Sequence, residues 1–286
     1  MDRNETRKRI VRMLLVIAAI GLMLLGLYLR SGQINRRAGR HEETKRQQQA
    51  QALLEQLANR PLFVTTATGY QAASVEVVDE FYLAARKVGL DLIFLYRTAE
   101  PGSSVHTSLA YLLAMGAPRK YLAAVEERQQ PADANEVVLW IHLVRSAKDE
   151  YRFPPGLREP LRKRLMRSQT PPGRWFAARQ YFDAGADRRG IEIAADLLDT
   201  PSYYGGLAAA RLAEFEPTRQ RAIDYLWDLA NSGRPWLVRE GLMHLSHVLE
   251  AQDTSEYLAF TVDDSPENIA ALRGELRSRL SAKEPQ

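Results

Sequence analysis

Hydrophobic and polar positions fall into three regimes along the chain. From Val11 to Leu29 the residues are apolar apart from Arg12 at the edge. A run of this length, about 20 residues, is what a helix needs to cross a bilayer. From Ile34 to Asn59 polarity returns and predicts a juxtamembrane helix. Its stretch from Glu42 to Gln51 carries only charges, amides, Thr44 and Ala50. Ala50, Leu53, Leu54 and Leu57 then make one short apolar stripe at helical spacing. Beyond Pro61, apolar residues recur every three or four positions almost to the end, the pattern of helices that bury one face.

Within that last regime, Leu62 to Thr66 is short, β-branched and reads as a strand. Val75, Val78, Phe81, Tyr82, Ala85 and Val88 predict a helix over Tyr70 to Val88, stopped by Gly89. Leu90 to Tyr96 is an apolar run that periodicity alone leaves unassigned. After the break at Pro101-Gly102-Ser103-Ser104, helices are expected over Val105 to Met115, Arg119 to Gln129 and Asn135 to Asp149.

Sliding the sequence against itself by 32 residues then aligns buried-type positions. Leu161, Ile193 and Tyr225 share a column; so do Leu165, Leu197 and Leu229, and Met166, Leu198 and Ala230. In the following helix Ala178, Ala210 and Leu242 align, as do Tyr181, Ala213 and Leu245. A fixed period of this size marks stacked helix pairs. Thr170-Pro171-Pro172, Thr200-Pro201 and Gly233-Arg234-Pro235 fall between the two helices of a pair, where proline suits a first turn. Asp187 and Thr218 are the expected N-caps of first helices, and helices of about 12–15 residues with short turns fit each unit. Ser265 and Pro266 open a last helix, 266–281, with a stripe of Ile269, Leu272, Leu276 and Leu280; its charged other face suits a cap on the stack.

Leu237-Val238-Arg239-Glu240-Gly241-Leu242-Met243-His244-Leu245 resembles the second helix of a HEAT repeat, and Gly206-Leu207-Ala208-Ala209-Ala210-Arg211-Leu212 is similar without the Val-Arg pair. The tetratricopeptide family has a close period, but its Trp-x-x-Leu-Gly-x-x-Tyr signature is absent. The resemblance covers residues 155–252 and implies an α-solenoid. The expected fold is therefore mainly α: a single N-terminal transmembrane helix, then an α-solenoid-like stack of antiparallel helix pairs. The domains would be a basic tail (1–10), the membrane helix (11–29), a helical linker (30–60) and the repeat-like domain (61–286).

The apolar run is longer than a signal-peptide core and leaves through Tyr28-Leu29-Arg30-Ser31-Gly32, which is no Ala-x-Ala site, so it reads as an uncleaved anchor. Gly21 and Gly26 are five apart and make no Gly-x-x-x-Gly dimer face. Arg3, Arg7, Lys8, Arg9 and Arg12 precede it; Arg30, Arg36, Arg37, Arg40 and Lys45 follow. The tie is weighed by the closer packing of the first group and the short tail. Both favour a cytoplasmic N-terminus and a periplasmic C-terminal domain in a bacterial inner membrane. The pI of about 9.3 belongs to this region. Residues 1–46 hold 11 of the 39 Lys and Arg and 4 of the 35 Asp and Glu, a net of +7, which leaves −3 for the rest. The surplus suits anionic lipid headgroups, and a mildly acidic folded part argues against nucleic acid as a partner. The linker stripe offers a homodimer contact. There is no cysteine, which excludes disulfides, thiolate metal sites and cysteine nucleophiles.

Candidate chemistry is sparse. Glu240, His244 and His247 sit at spacings of four and three, a candidate metal face on one helix, but they lack the His-Glu-x-x-His order. His106 and His142 read as structural. Arg158, Arg162, Lys163, Arg164 and Arg167 crowd one short helix, and Arg174-Trp175-Phe176 follows. Arginine beside an aromatic is interface composition, so Arg158, Arg162, Arg167, Arg174, Trp175 and Trp236 are the candidate partner-binding residues. No nucleophile motif, phosphate loop or dinucleotide fingerprint is present, and no cofactor is expected. These features point to a non-catalytic scaffold or accessory subunit that binds other membrane or envelope proteins. The alternatives are an all-α enzyme acting on envelope polymers, or a cytoplasm-facing adaptor of reversed topology.

Overall fold

A computed structural model describes residues 44–45, 47–67, 69–128, 132–145, 153–249 and 265–283. The basic tail, the apolar run at 11–29 and most of its flanks lie outside these residues. No helix among the described residues is long and apolar enough to cross a membrane. The described chain is mainly helical, with one small hairpin.

It divides into two compact units. Among the described residues, the smaller runs up to Gln56 and takes in Ala84–Leu90. Its described part is the helix that starts the visible chain (α1, 47–59 as a whole) and the end of α2 (Val75–Lys87). Gly89 stops α2 as the sequence reading expected. It adopts φ 67°, and the Leu90 N–H reaches back 3.0 Å to the Ala85 carbonyl, the Schellman closure that a residue without Cβ permits.

The larger unit holds Leu57–Leu83 and everything from Asp91 on. It opens with β1 (Phe63–Thr66) and β2 (Gly69–Ala72), antiparallel in the register Phe63↔Ala72 to Thr66↔Gly69. The sequence pattern placed Gly69–Ala72's neighbourhood at the start of a helix; here the strand takes Tyr70 and the helix begins only at Val75. Tertiary contacts outweigh the alanine-rich local preference. The Tyr70 ring stacks 5.2 Å from Phe63, and its hydroxyl meets His142 Nδ1 at 2.9 Å. Ser108 Oγ accepts the Leu62 N–H at 2.9 Å and pins the base of the hairpin.

The apolar run left unassigned becomes α3 (Leu92–Thr98), capped by Asp91. Next come α4 (Ser104–Gly116), α5 (Pro118–Glu127) and α6 (Ala134–Arg145). Residues 106–115 of α4 are buried without a break, so this helix is the axis on which α3, α5, α6 and β1 pack.

The rest is α7 (Arg158–Leu165), α8 (Pro171–Asp183), α9 (Asp187–Ala195, running on into a 3-10 turn at Asp196–Asp199), α10 (Tyr203–Leu212), α11 (Glu216–Ala230), α12 (Pro235–Val248) and α13 (Pro266–Lys283). Three of these helices start 32 residues apart, at Pro171, Tyr203 and Pro235. One hydrophobic core runs from Ala178 to Leu276. The aligned column Leu165, Leu197 and Leu229 is buried throughout, whereas Ile193, Met166, Ala210 and Tyr181 of the other columns are half-buried. α7, α9 and α10 span 8, 9 and 10 residues, shorter than the spacing suggested.

Two cap assignments shift. Asp187 is the first helical residue of α9 and Ala186 its cap. Thr218 lies inside α11, where its hydroxyl donates to the Leu212 carbonyl at 2.7 Å and so ties α10's end to α11's start. Ser265 does cap α13, accepting the Asn268 N–H at 3.3 Å, and Leu272 and Leu276 are buried with Ile269 and Leu280 packed beside them.

Candidate functional site

The basic helix is the natural starting point. Leu161 and Leu165 of α7 are fully buried, which fixes the helix's rotation. Pro160, Lys163, Arg164 and Arg167 stand at i, i+3, i+4 and i+7, one face of the helix and its C-terminal extension. That face lines a cleft of about 720 Å³. Ser168, Gln169 and Thr170 continue the wall; Thr170 also caps α8 by accepting the Gly173 N–H at 3.4 Å. Across the cleft stand Arg128, at the end of α5, and Trp140 of α6, with one carboxylate, Glu126, on the lining.

The cations of α7 differ from those further along the chain. Every arginine from Arg174 to Arg221 has a carboxylate within ion-pair distance. None of Arg162, Lys163, Arg164 and Arg167 has one among the described residues. Their place in the last turn of α7 favours positive charge through the helix dipole, which accounts for part of the composition. It does not account for their convergence with Arg128 around a cleft.

Arg128 is held from behind. Its guanidinium lies 5.8 Å from the centre of the Tyr96 ring and is ion-paired with Glu136. Glu136 is wholly buried in the first turn of α6. Its Oε1 also accepts the hydroxyls of Tyr96 at 2.6 Å and Tyr121 at 3.2 Å, and Tyr121 in turn accepts the Trp140 indole N–H at 2.8 Å. Burial, then the Glu136 charge, push both tyrosine hydroxyls well above their ordinary pKa. Burial works against the Arg128 charge, but the Glu136 carboxylate more than offsets it and its pKa rises.

Next to this network Asp133 caps α6. Its Oδ1 accepts the N–H groups of Asn135 at 2.8 Å and Glu136 at 3.0 Å, and its Oδ2 accepts that of Gly102 at 3.0 Å. His106, in the first turn of α4, stacks on Tyr96 with ring centres 4.9 Å apart. Burial lowers its pKa, opposed by Glu136 and Asp133. A second cavity, of about 430 Å³, is lined by His106, Tyr96, Arg97, Glu127 and Arg128 among others.

Of the residues singled out from sequence, Arg167 lines the basic cleft, together with Lys163 and Arg164. Arg162 is exposed and is not among the residues lining it, and Arg158 donates to the Phe153 carbonyl at 3.4 Å. Arg174 is paired with Asp196, and Trp175 and Trp236 pack half-buried against the hydrophobic core. Glu240 and His244 are buried on α12 with Oε2 and Nε2 3.6 Å apart, while His247 is exposed. Among the described residues, the three-residue set that brings possible metal-ligand atoms within 4.8 Å of one another is another one, His106, Asp133 and Glu136.

Arg128, Trp140 and this second set escaped the sequence reading because they come together only across helices. A partial signal was present in Asp133-x-x-Glu136, the spacing of a capping box, which marks where α6 begins. Comparison with protein-family models, curated proteins and solved structures gives no match.

Proposed function

We propose that this chain is a membrane-anchored helical-repeat scaffold whose basic cleft holds an acidic segment of another envelope protein. The observation that carries the reading is the convergence of Lys163, Arg164, Arg167 and Arg128 on one cleft, with α7's cations free of ion pairs among the described residues. Guanidinium groups aimed at a shared space recognise carboxylates bidentately, and Trp140 supplies an apolar wall for the rest of the segment. The cleft is wide enough for several side chains, and most of its exposed lining is apolar, the stems of its cations included.

The repeat reading supports the same conclusion. Helix starts at 171, 203 and 235 keep the 32-residue period, and α8, α10 and α12 each pack against the next in order. An α-solenoid-like stack of helix pairs over residues 155–252, with α13 as its cap, would offer an extended binding surface. The apolar run at 11–29 would hold it at the inner membrane with the helical part in the periplasm.

The test is recovery of partners from detergent-solubilised membranes by crosslinking, comparing the intact chain with K163Q/R164Q/R167Q. Glutamine keeps a polar side chain and removes the charge. Loss of the dominant crosslinked species, with unchanged thermal stability, is the expected result, and the wild-type complex should weaken as salt rises. An unchanged crosslinking pattern refutes the cleft as the docking site. A reporter fused to the C-terminus, active only outside the cytoplasm, checks the orientation separately.

A further inference from the structure

We propose that His106, Asp133 and Glu136 form a binding site for a divalent first-row transition-metal ion. Two helix beginnings meet here. Ser103 caps α4 and places His106 in its first turn; Asp133 caps α6 and places Glu136 in its first turn. The two caps are laced together, since Gly102 donates its N–H to Asp133 and accepts the side-chain amide of Asn135 at 2.7 Å. Three chemically suitable side chains are thereby fixed on rigid elements, with one ligand atom of each within 4.8 Å of the others.

The observation that points to a ligand is His106. Its side chain is only 3% exposed, and Nδ1 has no hydrogen-bond partner. A buried ring nitrogen left so loses its hydration with nothing in return. The nearest acceptor, Asp133 Oδ2, stands 3.7 Å away, too far for a hydrogen bond. That separation is instead close to the ~3.4 Å expected between two ligand atoms that share a tetrahedral ion at bond lengths near 2.1 Å.

Counting lone pairs gives the same answer. Glu136 Oε1 already accepts two hydroxyls, but Oε2 accepts only Arg128. Asp133 Oδ2 accepts only the Gly102 N–H. Each of these oxygens keeps one pair to give, as does neutral Nδ1. The hydrogen bonds on both carboxylates are the kind that orient metal ligands from behind.

Charge allows a cation here: two carboxylates face one guanidinium, so the cluster is net negative before any ion is added. The donor set selects the class. One imidazole and two carboxylates suit zinc-like borderline ions, whereas calcium and magnesium prefer all-oxygen sites, and the chain offers no thiolate. The cavity that His106 lines would supply a path and the water that completes the coordination.

The test uses the untagged full chain in detergent, with Zn²⁺ and Co²⁺ as probes. Expected are one equivalent retained by elemental analysis after dialysis, a visible cobalt spectrum of low-symmetry coordination, and at least a 100-fold weaker affinity in His106→Ala. His247→Ala should bind as wild type. Binding no tighter than the wild-type chain's non-specific background, or binding kept in His106→Ala, overturns the site. Should His106→Ala fail to fold by circular dichroism, X-ray absorption of the zinc-loaded wild type decides. One imidazole among oxygen ligands supports the assignment, and two or more imidazoles refute it.

Discussion

Substituting Gly241 by alanine is the sharpest test of how the helix pairs pack. Positions 32 and 64 residues earlier hold Ala209 and Ala177, both buried. Repeat logic alone would therefore allow alanine, and helix propensity would favour it by about 0.5–1 kcal/mol. The geometry says otherwise. A Cβ on Gly241 would lie 2.5 Å from the Ala230 nitrogen, 2.8 Å from the Leu226 carbonyl oxygen and 2.9 Å from Leu229 Cβ. Two of these are backbone atoms of α11, which no side-chain rotation can move. Ordinary contact needs about 3.5 Å, so α12 must withdraw by about 1 Å. That loosens the face on which Leu226, Leu229, Leu242 and Leu245 are buried. Overpacking against backbone that cannot yield costs about 2–3 kcal/mol, the upper part of the usual range, leaving a net loss of about 1–2 kcal/mol after a propensity gain of as much as about 1 kcal/mol. At about 2–4 °C per kcal/mol for a domain of this size, Tm should fall by about 2–8 °C. Tryptophan fluorescence on heating reads this directly, since Trp227 and Trp236 flank the interface. Gly274→Ala is the control: it is an exposed position of α13 and its Cβ meets nothing within 4 Å, so the same exchange should raise stability. If Gly241→Ala melts at or above wild type while Gly274→Ala behaves as stated, the close α11–α12 approach is wrong.

Three further outcomes are expected. Tyr121→Phe leaves the Trp140 indole N–H without its acceptor and Glu136 without one donor in a wholly buried place, and should cost about 1–3 kcal/mol in urea unfolding. His142 is buried and its pKa is lowered by burial to about 4, from an ordinary 6.5. The unfolded chain takes up the proton first, so stability is full above pH 6.5, falls as pH drops towards 4, and levels off below. The loss is at most about 3 kcal/mol, and His142→Gln should flatten that part of the pH profile. Arg273→Ala removes the guanidinium that donates to the Ala230 carbonyl at 3.0 Å, at the open end of α11; hydrogen exchange should quicken through α13 before anything else.

The helices were legible because their burial is periodic and local. Leu165, Leu197 and Leu229 declare themselves at a shift of 32, and Ser265 with its stripe of leucines announces α13. What could not be read depended on partners far along the chain. Tyr70 sits in a stretch that looks helical from its own neighbours; a hydroxyl meeting His142, 72 residues on, and a ring against Phe63 hold it in a strand. Thr218 looked like a cap because threonine before an apolar run usually is one, yet its hydroxyl is spent on the end of the previous helix.

The two candidate sites divide along the same line. Half of the basic cleft is a single helical face, Lys163, Arg164 and Arg167, whose alignment follows from 3.6 residues per turn once Leu161 and Leu165 are known to be buried. The other half, Arg128 and Trp140, joins it only because α6 packs beside α7 and α5 packs beside the turn Pro155–Leu157 that leads into it. The buried cluster has no local half at all: His106 is 27 residues from Asp133, and either alone reads as a core histidine or a helix cap. The two sites also share a residue. Arg128 faces the cleft while its charge is held by Glu136, so an anion in the cleft would draw on the guanidinium and a cation beside Glu136 would draw on the carboxylate that holds it. A bound metal would loosen Glu136's hold on Arg128 and leave more of its charge for the cleft. Metal and acidic segment should therefore bind with positive cooperativity, each tightening the other by the same factor. Titrating an acidic peptide with and without Zn²⁺ measures that factor; a ratio of one, with both ligands bound, would show that Arg128 does not couple the sites.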